Sequence, residues 1–167
     1  MSHIADRLAA LGLVLPPPMT PPPGFVLPFK PVIITGTRVL FSGHGPQSPD
    51  GGEAHPLGKV GKDLTLEQGY AAARLTMLSI LGSLHRALGD LDRIAGWPRI
   101  FGMVISAPGF NRQPAVINGA SDLVIELFGP EVGAHTRSAV GMAELPWDIP
   151  VEIEGEVRLH VSERRTA

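Results

Sequence analysis

Between residues 151 and 161, apolar Val151, Ile153, Val157, Leu159 and Val161 occupy odd positions, and Glu152, Glu154, Glu156, Arg158 and His160 occupy even ones. A period of two marks a strand with one face on a core and the other turned away from it. Elsewhere the period is helical. Leu66, Tyr70, Ala73, Met77, Leu81, Leu84 and Leu88 line one face of a long helix. Thr65 and Gln68 open it as a T-x-x-Q capping box, and Gly89 closes it. A second long helix begins near Pro114, whose fixed φ suits a first turn, and runs to Phe128 before Gly129. A short helix with Ile4, Leu8 and Leu11 at helical spacing is predicted between a Ser2 cap and a Gly12 stop.

The remaining segments complete the order. "VIITGTRVLFSGHG" reads as two β-rich runs around Gly36, a hairpin. "RIFGMVISA" is a third strand, and "RSAVGMA" pairs with the 151–161 run as a closing hairpin through "ELPWDIP". Residues 16–24, "PPPMTPPPG", are mostly prolines, which lack the backbone donor and fix φ, and form an extended linker. Residues 46–63 are turn-rich and are expected to be a mobile surface loop. The order helix-β-β-α-β-α-β-β, with antiparallel hairpins at both ends, predicts a two-layer α+β domain: one sheet with two long helices on one face. The expected organisation is an N-terminal helix and linker over 1–23, one domain over 24–162, and a tail over 163–167.

Two helices cover only one face of such a sheet, so the odd residues of the last strand belong beneath them. In the preceding strand Val140 and Met142 are the apolar set, which leaves Arg137, Ala139 and Gly141 on the other side. With Ala143 opposite Pro150, Arg137 shares the helix-free face with Glu152, Glu154 and Glu156. The alternation also fits a plain solvated face. A buried guanidinium, however, needs a paired anion, either a sheet glutamate or a ligand carboxylate held bidentately.

Composition narrows the function. The 167 residues are 44% hydrophobic and only 18% charged, which suits one domain with a real core and some surface covered by another subunit. A net charge of −2 with scattered Arg and Lys argues against a dedicated nucleic-acid binder. The absence of cysteine excludes disulfides, thiol nucleophiles and thiolate metal sites. With no bilayer-spanning run, signal or transit pattern, a soluble cytoplasmic protein with no membrane partner is expected. No metal site is expected among the six histidines, none of which pairs at i, i+4 with a carboxylate inside a predicted helix. Ser42 lacks a G-x-S-x-G elbow, and "SGHGPQSPDGG" opens no phosphate-loop helix. Trp97 and Trp147, beside prolines, read as packing anchors.

"RSAVGMAELPWDIPVEIE" resembles the C-terminal signature of the RidA (YjgF-like) reactive-intermediate deaminase family, also labelled endoribonuclease L-PSP. That signature is an arginine, small residues, a valine, a Leu-Pro turn and V/I-E-I/V-E. "VLFSGHGP" resembles the family's strand ending Ser-Gly-Gln-x-P, and "INGASD" lies in the helix carrying its asparagine. The likeness runs from about Gly24 to Leu159 and points to a paralogous branch.

It implies a chorismate-mutase-like fold and a homotrimer whose sheets form a central barrel, with a small carboxylate-bearing metabolite bound between subunits. The implied reaction hydrolyses a 2-imino or enamino acid to a 2-keto acid and ammonia, with no cofactor. Arg137 would clamp the carboxylate and Glu152 would hold or deprotonate the water. Phe25, Ser42, Gly43, His44, Asn118 and Ala139 would line the cleft. The chain departs from the archetype at Ala139 (cysteine there), His44 (glutamine) and Phe25 (tyrosine). His44 stands as polar lining or as an acid–base group, and His135 also adjoins a matched motif. A non-catalytic carboxylate-binding or regulatory trimer is the alternative. An endoribonuclease is a third reading, against which the acidic charge weighs.

Overall fold

In the computed structural model, which describes residues 3–21, 24 and 26–161, the elements follow the predicted order. They are α1 (His3–Ala10), β1 (Val32–Thr35), β2 (Arg38–His44), α2 (Leu66–Leu88), β3 (Ile94–Ile105), α3 (Gln113–Val132), β4 (Thr136–Met142) and β5 (Val151–Leu159). The α+β architecture is as expected, a single five-stranded sheet in the order β1-β2-β5-β3-β4 with the long helices on one face.

Local chemistry sets the helix ends. Thr65 and Gln68 form the reciprocal capping box, and Gly89 closes α2 at φ 80°. Pro114 lies in the first turn of α3, and Gly129 breaks its helical path at φ 78°. Ser2 lies outside the described residues. The observed cap of α1 comes from far along the chain: the Asp92 carboxylate accepts from the backbone N–H groups of His3 (2.6 Å) and Ile4 (3.0 Å). Ile4 and Leu8 bury into the core, whereas Leu11 is exposed.

That core lies between the helices and the sheet. Met77, Leu81 and Leu84 of α2 and Ile117, Leu123 and Leu127 of α3 pack on Val39, Ile100 and Ile153, all fully buried. Two glycines permit the close approach. A Cβ at Gly102 would come within 2.7 Å of Ile117, and one at Gly119 would overlap the Tyr70 carbonyl oxygen of α2. Trp97 is the expected anchor, buried edge-on between Phe41 and Phe128, with ring centroids at 6.1 and 5.3 Å. Trp147 is not. It is 40% exposed, in a left-handed conformation at φ 54°.

The closing hairpin does not form. β5 inserts between β2 and β3, antiparallel to both, while β4 lies at the sheet edge, parallel to β3. The parity of β5 holds: Val151, Ile153, Val157 and Leu159 are buried beneath the helices, although Val161, beyond the strand, is 81% exposed. The parity assigned to β4 is reversed. Arg137, Ala139 and Gly141 pair with Ile100, Gly102 and Val104, which face the helices. Glu152, Glu154 and Glu156 pair with Met103, Phe101 and Arg99 on the open face. Arg137 and the glutamates therefore point to opposite sides. Burial does not sort β4, none of whose residues is buried, and on its helix side, beneath the start of α3, a Cβ at position 141 would already meet Gln113 at 2.8 Å.

Residues 46–63 are more tied down than a turn-rich loop suggests. Val60 is fully buried, donates to the Ile105 carbonyl (3.0 Å) and accepts from Ala107 (3.0 Å), which stitches the segment onto the end of β3.

Candidate functional site

The sheet separates the predicted site residues into two groups. The first stands on the helix side of the β4 edge. Arg137 is partly buried, and its Nη1 donates to Asn118 Oδ1 (2.9 Å) and Ser121 Oγ (2.9 Å), both on α3. Its Nη2 donates to the Pro114 carbonyl in the first turn of that helix (3.3 Å). Asn118 and Ser121 meet the same guanidinium because residues three apart share a helix face. Ala139, two residues along β4, lies on the same side and packs against the core.

All three acceptors are neutral. Among the described residues no carboxylate lies within ion-pair distance of Arg137. Burial pushes its pKa down from the ordinary arginine value, and the more distant charge of Asp122, which accepts a hydrogen bond from Tyr70 (2.8 Å), acts the other way. A guanidinium carries five N–H donors. Both on Nη1 are engaged and one on Nη2 is engaged. That leaves Nε–H and one Nη2–H without a hydrogen-bond partner among the described residues, two donors of the kind that a carboxylate accepts.

The second group lies on the open face, where a β-bulge interrupts β2. Phe41 pairs with Gly155 and His44 with Ile153, so three steps along β2 match two along β5. The extra residue turns Gly43 to the open face, where a Cβ would overlap the Glu152 carboxylate. The three glutamates differ in what they touch. Glu156 is held bidentately by Arg38, with Nε and Nη2 both at 2.7 Å, and Glu154 meets Arg99 at 3.4 Å. Glu152 has no hydrogen-bond or ion-pair partner among the described residues. Burial, then the neighbouring charge of Glu154, raises its pKa above the ordinary carboxylate value.

The other predicted residues fall elsewhere. Ser42 is adjacent to the bulge, but its hydroxyl donates to the Lys30 carbonyl (2.9 Å). The same bulge swings His44 to the helix side, where Nε2 meets Ser83 Oγ of α2 (2.9 Å) and Nδ1 meets the Ser42 carbonyl (2.6 Å). Burial lowers its pKa. His44 is thus a packed histidine rather than lining beside Gly43. Phe25 lies outside the described residues. Sequence reasoning assigned no role to Ser121, buried beneath Arg137, although its i, i+3 spacing from Asn118 was a usable signal. Among the described residues no three His, Asp or Glu side chains converge to hold a metal ion, and no helix is long and apolar enough to cross a membrane.

A five-stranded sheet of this order, with two helices on one face and an uncompensated arginine on its edge strand, defines an α+β domain of the chorismate-mutase-like class. The chain belongs to the family described as "YjgF/chorismate mutase-like, putative endoribonuclease", which it matches over residues 5–151. It is 38% identical over 158 residues to Protein TCP17 of Trypanosoma cruzi, covering 95% of each chain. Two crystal structures are similar throughout. The protein Atu1372 of unknown function from Agrobacterium tumefaciens is 37% identical, with 95% of this chain and 93% of that one covered and a TM-score of 0.82. A "putative endoribonuclease" from Shewanella oneidensis is 31% identical, with 93% and 99% covered and a TM-score of 0.85.

Proposed function

We propose that this protein hydrolyses a small 2-imino or enamino acid to the 2-keto acid and ammonia, in the cytoplasm, at clefts between the subunits of a homotrimer. The observation that carries the proposal is the Arg137 guanidinium: partly buried, fixed by three neutral acceptors, with two N–H donors that have no partner among the described residues. Clamping the substrate carboxylate presents an already electrophilic iminium carbon, so orientation does much of the work. Glu152 accepts a proton from water as its oxygen bonds to that carbon. The proton passes to the nitrogen, the C–N bond breaks, ammonia leaves, and the carbonyl forms as the hydroxyl proton is taken up by Glu152. A carboxylate with a raised pKa, free of any cation, suits a group that takes and returns one proton.

Arg137 and Glu152 face opposite sides of a single chain, so this chemistry requires the β4 edge of one subunit and the β2–β5 open face of its neighbour to share a cleft. The same separation favours a second reading, a trimer that binds a small carboxylate without turning it over. Purified protein is expected to accelerate conversion of 2-iminopropanoate, generated in situ, to pyruvate, and Arg137→Ala to abolish the acceleration. A wild-type rate equal to that in buffer eliminates the deaminase. In that case a rise in melting temperature with 2-keto acids, absent in Arg137→Ala, supports the binding reading. Ribonuclease activity that survives rigorous purification and is lost in Arg137→Ala overturns both.

A further inference from the structure

Ser121, like Ser83 of α2, whose hydroxyl meets His44 and Arg86, does not make the usual bond of a buried helical hydroxyl. In α2, Thr76 and Ser79 turn back to the carbonyls four residues earlier, at 2.8 Å to Ala72 and 3.2 Å to Leu75. The Ser121 hydroxyl instead lies 2.9 Å from Arg137 Nη1 and 2.9 Å from His135 Nε2. The direction of each bond follows from the chemistry. The Gly133 carbonyl, 2.7 Å from His135 Nδ1, can only accept, so Nδ1 carries a proton. In the neutral ring Nε2 is then an acceptor and takes the Ser121 proton. That leaves a Ser121 lone pair for Arg137, which can only donate. The chain runs one way, from Arg137 through Ser121 and His135 to the backbone at the end of α3.

We propose that Ser121 and His135 are positioning residues that hold the guanidinium of Arg137 in register for a carboxylate, a role that rests on the clamp reading above. His135 diverts the hydroxyl from the Ile117 carbonyl four residues back and turns its lone pair toward Nη1. With Asn118 on the other Nη1 hydrogen, the guanidinium is fixed about Nε–Cζ, and Nε–H and one Nη2–H keep no partner among the described residues. His135 sits two residues before Arg137, at the mouth of the same strand. The backbone that places the clamp therefore also places its brace.

The test uses 15N-labelled protein and 2-oxobutanoate as the carboxylate probe. His135→Leu and Ser121→Ala are each expected to speed rotation of the Arg137 guanidinium, read by side-chain 15N relaxation, by about tenfold, the scale set by one charge-assisted hydrogen bond. Backbone spectra are expected to stay native outside the site. Affinity for 2-oxobutanoate, measured by calorimetry, is expected to fall by about the same factor. The double variant is expected to lose no more than either single one, because both break one chain. His135→Gln, whose amide oxygen can accept the Ser121 proton, is expected to recover most of both losses.

Unchanged guanidinium rotation in His135→Leu, additive losses in the double variant, or a His135 proton on Nε2 overturns the proposal. If wild-type protein does not bind 2-oxobutanoate, the clamp reading fails on its own. The relaxation measurements still decide whether Ser121 and His135 position Arg137.

Discussion

Gly119→Ala tests the contact that seats α3, and with it Asn118 and Ser121, over the sheet. A Cβ at this position would overlap the Tyr70 carbonyl oxygen, lie 2.9 Å from the Tyr70 carbonyl carbon and 3.2 Å from the Arg74 nitrogen. All three are backbone atoms of α2, so no side-chain rotation relieves them. Restoring contact distances of about 3.5 Å requires the helices to separate by something on the order of 1 Å. Overpacking of this kind costs about 1–3 kcal/mol, and a clash of backbone on backbone belongs at the upper end. Alanine returns about 1 kcal/mol through its better helix propensity. The net loss is therefore about 2 kcal/mol, or a melting temperature lower by about 4–8 °C in a chain of this size. Urea denaturation followed by circular dichroism at 222 nm reads it as a lower midpoint at unchanged slope. A variant as stable as the parent, or more stable, refutes a crossing in which the two backbones touch.

Further outcomes follow from the site and from α1. Because the folded state raises the pKa of Glu152, it binds that proton more readily than the unfolded chain, and stability is lost as pH rises from the ordinary value near 4.5 toward the higher folded one. Glu152→Gln is therefore expected to melt above wild type at pH 7, with the advantage closing below about pH 4.5. An advantage that grows on acidification contradicts the assignment. Asp92→Ala removes both capping bonds of α1 and is expected to cost about 1 kcal/mol. Hydrogen exchange in residues 3–10 is expected to quicken more than in α2, and uniform quickening would show that the cap supports the whole fold instead.

The sequence made legible whatever depends on facing within one element. The alternation from Val151 to Leu159 identified the buried side of β5, the Thr65–Gln68 box marked a helix start that the structure keeps, and Gly129 marked the break inside α3, which runs on to Val132. Neighbour relations were not legible, because periodicity says which side a residue takes and not which strand lies beside it. Nothing in "RSAVGMA" signals that β4 runs parallel to β3 with β5 inserted between β3 and β2. Val140 and Met142 look like core residues, yet no residue of β4 is buried, and Ala139 and Gly141 take the helix side. Arg137 and Asn118 do converge, 2.9 Å apart. Glu152 does not join them within one chain, because the sheet itself stands between.

The bulge in β2 gives that strand a reading frame. Residues before it and after it obey opposite parities, so Gly43 makes room for Glu152 on one side while His44, its immediate neighbour, meets Ser83 on the other. Deleting a single residue between Phe41 and His44 would act on side chains as a frameshift acts on codons. Everything on one flank of the deletion would change face at once. In this strand length matters more than composition, because an insertion or deletion between 41 and 44 would turn the His44 imidazole onto the face where the Glu152 carboxylate stands.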